Sequence, residues 1–394
     1  MKKIFALLLC LSMLLSLCTV AFAADCTAKK EYPVYTCLGD SVAAGAAQPK
    51  GVTNIFGYDA EDLPAYLAAL YDENSTLIYR GYKPEPVPTA YHSLVADALD
   101  AKLNQCARSG MRAIELRYML TGVYTDPDTA YSYGNNYFDY DKNGFTLSDL
   151  DYVNNLYHFS DKIAEADIIT LAIGSNDVLA PTLGVLAALM NDNSSDPELT
   201  ALIQELESRG TIGSFEAALV SLSQSTGKYA AAIKNMLDTF KQSLALFSTN
   251  YCAIVDKIYE LNPDVTLLCV GAFNPFNDTR LTASSTLDLS FVVKPFVDAL
   301  NTYFRSLSLK YGSSFIYVDV TNTPLYDQVI KDPLYMNYLT LKLHPTAAGH
   351  QYMANKILDR VPGYFTEVSC RRAALHTVCT AIIAAHIIHM AVQK

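Results

Sequence analysis

The feature that most restricts how this chain can fold is a rhythm: short β-type runs at residues 32–38, 103–107, 168–173, 265–270 and 315–320 alternate with longer stretches of helical periodicity. Strands separated by helix-length crossovers pair in parallel, because each crossover returns the chain to the same end of the sheet. A parallel sheet is then buried by helices on both faces. Residues 91–101 and 251–261 fit crossover helices, the second stopped by Asn262-Pro263. In open sheets of this kind ligands gather beyond the carboxyl ends of the strands, so the residues just after each strand matter most.

The ends of the chain set the compartment. Lys2 and Lys3 precede an apolar run over residues 4–20, and Ala21-Phe22-Ala23 supplies the small-x-small pattern of a cleavage site, so residues 1–23 read as a signal peptide and the protein as secreted or extracytoplasmic. Leu17 before Cys18 argues against a lipoprotein. The rest reads as a single domain over residues 24–368, with a helix-rich insertion at about 178–250 placed either as a cap or lid or as a structural appendage, and an apolar tail at 369–394. His376, His386 and His389 interrupt that tail and Arg371-Arg372 precede it, which favours an extra helix over a membrane anchor. A formal charge of −11 argues against nucleic acid and anionic lipid surfaces as partners, because phosphate binding needs clustered Lys and Arg.

Beyond the leader the cysteines are Cys26, Cys37, Cys106, Cys252, Cys269, Cys370 and Cys379, without zinc-ligand spacing. Cys37, Cys106 and Cys269 lie in apolar strand-like runs and read as small core residues, while Cys26 with Cys370 is a weak disulfide candidate. Asp139, Asp141 and Asn143 before Gly144 reproduce the first half of a calcium loop, but Leu150 stands where a bidentate Glu is needed, so a solvated turn is preferred over a structural calcium site. No other cofactor is indicated.

The chemistry-bearing residues come directly after the strands. Gly39-Asp40-Ser41 stands after the first, Arg108-Ser109-Gly110 after the second and Gly174-Ser175-Asn176-Asp177 after the third, while Leu343-His344-Pro345-Thr346 leads into a late amphipathic helix ending near Val361. A serine hydroxyl needs a base to take its proton, and the oxyanion formed on attack needs fixed donors. Ser41 suits the nucleophile and His344 the base, with the Ser41 and Gly110 N–H groups and the Asn176 amide as the oxyanion hole. His350 is expected on the surface of the last helix.

These blocks resemble, in order, those of the SGNH (GDSL) hydrolase superfamily, in the form found in secreted bacterial esterases and lipases, across residues 32–362. The resemblance implies a three-layer, flavodoxin-like α/β/α fold and hydrolysis of acyl esters without a metal cofactor. One position departs. The family's triad acid lies three residues before the histidine, where this chain has Leu341. Losing such an acid costs serine proteases about four orders of magnitude in rate. A main-chain carbonyl near Leu341 orienting His344, as in superfamily members that work as Ser-His dyads, is the favoured substitute, with Asp319 and Asp332 as alternatives. Rival readings are a carbohydrate esterase that removes acetyl groups from glycans, and an inactive exported binding protein of the same fold.

Overall fold

The computed structural model describes residues 32–45, 86–108, 110–124, 150–151, 154–155, 157–179, 181–182, 220–221, 223–224, 227–275, 279–280, 290–325, 328–329 and 344–363. One compact unit spans Tyr32–Lys356; of a second unit, Met1–Glu31 with Ile357–Lys394, only residues 357–363 are described. The leader, the calcium-like turn, Cys26, Cys370, Cys379, Asp332, Leu341 and the tail therefore lie outside the described residues.

The rhythm of the sequence becomes five long-range paired strands: β1 (Val34–Gly39), β2 (Lys102–Gln105), β3 (Ile168–Ala172), β4 (Thr266–Val270) and β6 (Phe315–Val318). They form one sheet in the order β2-β1-β3-β4-β6, with every neighbouring pair parallel. A separate parallel pair is made by β5 (Thr279–Arg280) and β7 (Gln328–Val329). Strands β3 and β4 are buried along their whole length, which is why their residues read as near-continuous apolar runs rather than alternating ones.

Helices α1 (Ser41–Ala44), α2 (Tyr91–Leu99), α3 (Ala113–Thr121), α4 (Phe159–Ala164), α5 (Ala230–Leu261), α6 (Ser290–Tyr311) and α7 (Ala347–Leu358) complete the described unit. Helix α2 stops at Asp100, whose φ of 56° turns the chain left-handed and returns it to β2. Helix α5 begins at Ala230, well before the expected start at residue 251, so the end of the segment read as an insertion is the first part of a 32-residue crossover helix. Its buried Ile233, Met236, Phe240, Phe247, Tyr251, Ile254 and Ile258 fall at three- and four-residue spacings, one stripe facing the core. The Phe247 ring lies 5.2 Å from Tyr251 and 5.8 Å from Phe304 of α6, and each such fully buried aromatic contributes about 1.5–3 kcal/mol. Asn262 then donates to the carbonyls of Ile163 and Ala166 at 2.9 and 2.8 Å, tying the end of α5 to the end of α4.

The chain runs from β1 outward to β2 and then back across β1 to β3. That reversal places a crevice at the carboxyl ends of β1 and β3, where Ser41 and Asn176 begin their loops.

Candidate active site

Backbone conformation, backbone hydrogen bonds and one side-chain cap hold the nucleophile turn. Gly39 has φ +151°, and a Cβ there would meet the Ala172 carbonyl oxygen at 2.2 Å, so only glycine lets β1 end this close to β3. Asp40 N–H donates to that same Ala172 carbonyl at 3.0 Å, and Arg108 N–H donates to the Gly39 carbonyl at 2.9 Å, which ties the turn to the β3 and β2 loops together. The Asp40 side chain caps α1 by accepting from Val42 N–H at 3.0 Å, and Gly45, at φ +79°, ends the turn.

Ser41 is 9% exposed, and its Oγ lies 2.7 Å from His344 Nε2 across 303 residues of sequence. For the imidazole to accept this proton, its own must sit on Nδ1. His344 is half-buried, three residues before the start of α7. Burial pushes the Asp40 carboxyl up to about 7, against the lowering effect of backbone N–H groups of Val42 and Ala43. Beside it, a cavity of about 20 Å³ between the ends of β1, β3 and β4 is lined by Asp40, Val42, Ile173, Ser175 and Phe273, room for roughly one water.

The other two predicted residues meet each other's loops. Gly110 holds φ +75°, a left-handed conformation that glycine adopts without strain. Asn176 lies at the start of a π-helical turn, Ser175–Leu179, and its Nδ2 donates to the carbonyl of Met111, the residue after Gly110, at 3.1 Å. Gly174 makes this possible: at φ +127° it passes so near the Phe247 ring that a Cβ would sit 2.9 Å from it. The next residue in the turn, Asp177, is fully buried and accepts from Ala113 N–H with both carboxylate oxygens, at 2.9 and 3.1 Å. Neither Asp40 nor Asp177 stands out in the sequence as a site residue. The signals were present, an Asp at an N-cap and an Asp beside a loop Asn, but each also fits an ordinary turn.

Two expectations are corrected. Asp319 does not stand behind an imidazole: its Oδ1 accepts from Thr321 N–H and hydroxyl at 3.1 and 2.7 Å, and its Oδ2 accepts from Arg305 at 2.9 Å, on the surface. Burial there raises its carboxyl, but the Thr321 and Arg305 hydrogen bonds outweigh this and hold it below the usual value. His350 is not a helix-surface residue but fully buried, with Nδ1 accepting from Tyr91 N–H at 3.2 Å and its ring stacked on Tyr91. A helix whose polar-looking position faces α2 rather than water is invisible to local periodicity.

Cys37, Cys106 and Cys269 are buried free thiols, and burial pushes Cys37 up to about 11 and Cys269 up to about 12, out of reach of thiolate chemistry near neutrality. Among the described residues no group of three or more His, Cys, Asp or Glu side chains is arranged for a metal, and no helix is long and apolar enough to cross a membrane.

The model of the GDSL-like lipase/acylhydrolase family matches residues 35–357. Among solved structures, an extracellular lipase from Streptomyces rimosus aligns at 15% identity over 84% of this chain and 100% of its own, with a TM-score of 0.41. Phospholipase A1 from Streptomyces albidoflavus aligns at 13% over 85% and 100%, TM-score 0.38. A family two carbohydrate esterase from Clostridium thermocellum aligns at 12% over 85% and 66%, TM-score 0.33. No curated protein sequence matches significantly. With its matching motif blocks and parallel sheet, this chain belongs to the GDSL-like lipase/acylhydrolase family and is an ester-bond hydrolase.

Proposed function

We propose that the protein is a secreted carboxylester hydrolase that works through an acyl-enzyme on Ser41. The observation that carries this reading is the 2.7 Å contact between Ser41 Oγ and His344 Nε2. His344 takes the hydroxyl proton as Oγ bonds to the acyl carbon, and then gives it to the departing alkoxide as the ester C–O bond breaks. Water, deprotonated by the same imidazole, bonds to the acyl carbon, and the acid is released as the Ser41 Oγ–acyl bond breaks and the imidazolium returns the proton to Oγ. The oxyanion of each tetrahedral intermediate is held by the Ser41 and Gly110 N–H groups and the Asn176 amide, donors fixed before reaction begins. No step requires a cofactor.

With Leu341 at the usual position of the acid and Asp319 committed to Arg305, we read the site as a Ser-His dyad in which a main-chain carbonyl near Leu341 accepts from Nδ1–H, with Asp332 as the alternative acceptor. Secretion rests on the leader-like residues 1–23. The substrate is an acyl ester, and the lipase and acetyl-esterase alternatives separate by chain length: each added CH₂ that is buried contributes about 0.8 kcal/mol, about fourfold in kcat/KM, only where an apolar trough receives it.

Purified protein is expected to cleave short p-nitrophenyl esters and to be labelled by a fluorophosphonate, and Ser41→Ala to lose both. Turnover retained in that variant sinks the mechanism.

A further inference from the structure

The oxyanion donors of the proposed mechanism sit on loops from different strands, so something must hold those loops in register. Two consecutive side chains of the β3 loop grip the β2 loop just after Gly110. Asn176 donates to the Met111 carbonyl at 3.1 Å, and Asp177 accepts from Ala113 N–H at 2.9 and 3.1 Å. Ala113 is the first residue of α3, and at the same helix start Glu115 accepts from Arg112 N–H at 2.6 Å and from its guanidinium at 2.7 Å; the Arg112 side chain, all donors, cannot cap the helix in return. Asp177 therefore serves an N–H of the first turn of α3 that Glu115 does not reach.

We infer that Asp177 is a positioning residue for ester hydrolysis: by pinning Ala113 N–H it sets the distance between the Gly110 N–H and the Asn176 amide. The inference rests on the reading of those two groups as oxyanion donors. Asp177 is fully buried, and burial first, the nearby Glu115 carboxylate second, push its carboxyl well above the usual range, with Arg112 acting the other way. A carboxyl in either protonation state keeps an oxygen that accepts from Ala113, so the clip survives where a side chain without an acceptor would release it. Displacement of a catalytic donor by about 1 Å lowers turnover by about a hundredfold, which makes a fixed clip consequential.

The test compares kcat and KM per active site, counted by fluorophosphonate titration carried to completion, with p-nitrophenyl acetate as substrate. Asp177→Ala should lower kcat about tenfold to a hundredfold with KM within about threefold, and Asp177→Asn, whose amide oxygen still accepts, should recover most of the loss. In an Asn176→Ala background the same Asp177→Ala change should cost less than about threefold, because the hole is already broken. Wild-type kcat per titrated site in Asp177→Ala, or losses that simply multiply in the double variant, would overturn the inference. Should Asp177→Ala fail to fold, Ala113→Pro reads the same bond from the other side: proline suits the first helical position but has no N–H, and unchanged kcat in the folded variant overturns the inference equally. If Asn176→Ala itself costs less than about threefold, the oxyanion reading fails instead, so the two failures remain distinct.

Discussion

His344 and His350 are six residues apart on either side of the start of α7, yet they live in different chemistry. His344 is half-buried with Nε2 on the Ser41 hydroxyl. His350 is wholly enclosed, its Nδ1 held by Tyr91 N–H, and burial first, then the neighbouring His92 and His344, push its pKa down to about 3. His92 shares that fate: its Nε2 accepts from Val87 N–H at 3.0 Å, its Nδ1 donates to the Ala43 carbonyl at 2.7 Å, and burial pushes it down to about 4. A histidine becomes a general base only where its positive form is tolerated, and burial withholds that from two of the three. His92 instead braces the nucleophile turn through the Ala43 carbonyl, and His350 packs on Tyr91 beside it.

The largest effect that tests this contrast is on rate. His344→Ala should lower kcat/KM by about four orders of magnitude or more while leaving the urea midpoint nearly unchanged; a variant that unfolds more easily but still turns over would reverse the assignment. His350→Ala should do the opposite, costing about 2–4 kcal/mol in urea titrations through a cavity and an unpaired Tyr91 N–H, with kcat per titrated site close to wild type.

The smallest effect is in the pH dependence of stability, and it separates the two kinds of buried group. His92 and His350 have folded pKa values below the unfolded 6.5, so their contribution is present above 6.5 and is lost as pH falls toward about 4 and about 3. Asp40, raised to about 7, acts with opposite sign: its contribution is present at low pH and is lost as pH rises through about 7. The two trends partly cancel in the wild type between about pH 7.5 and about pH 5. Asp40→Asn keeps a capping side chain but removes the opposing effect, so its urea midpoint should fall more steeply than that of the wild type over this interval. Parallel pH profiles would show that Asp40 does not titrate there.

Legibility differed between the two halves of the site for a physical reason. Ser41, Gly110 and Asn176 each come after a strand whose apolar run is a local property of sequence, and the structure finds each at the carboxyl end of its strand. The start of α5 was missed because the chain from residue 230 onward carries the same periodicity in a crossover as in an insertion. Asp177 was missed because its partner, Ala113, is 64 residues away in the β2 loop. Asp319 was misread because the end of a strand is also where a surface carboxylate meets Arg305.

By itself the sequence determined the alternation of strands and helices, the parallel sheet that this alternation requires, and the order of the motif residues along the chain. Periodicity and turn chemistry act over a few residues, so they are written locally. Only the tertiary structure decided that Ser41 and His344 touch across 303 residues, that Asp177 clasps the loop after β2, and that His350 is kept dry against Tyr91. Those contacts arise from the strand order β2-β1-β3 and from helices packing on the sheet, where burial and proximity are set by elements distant in the chain.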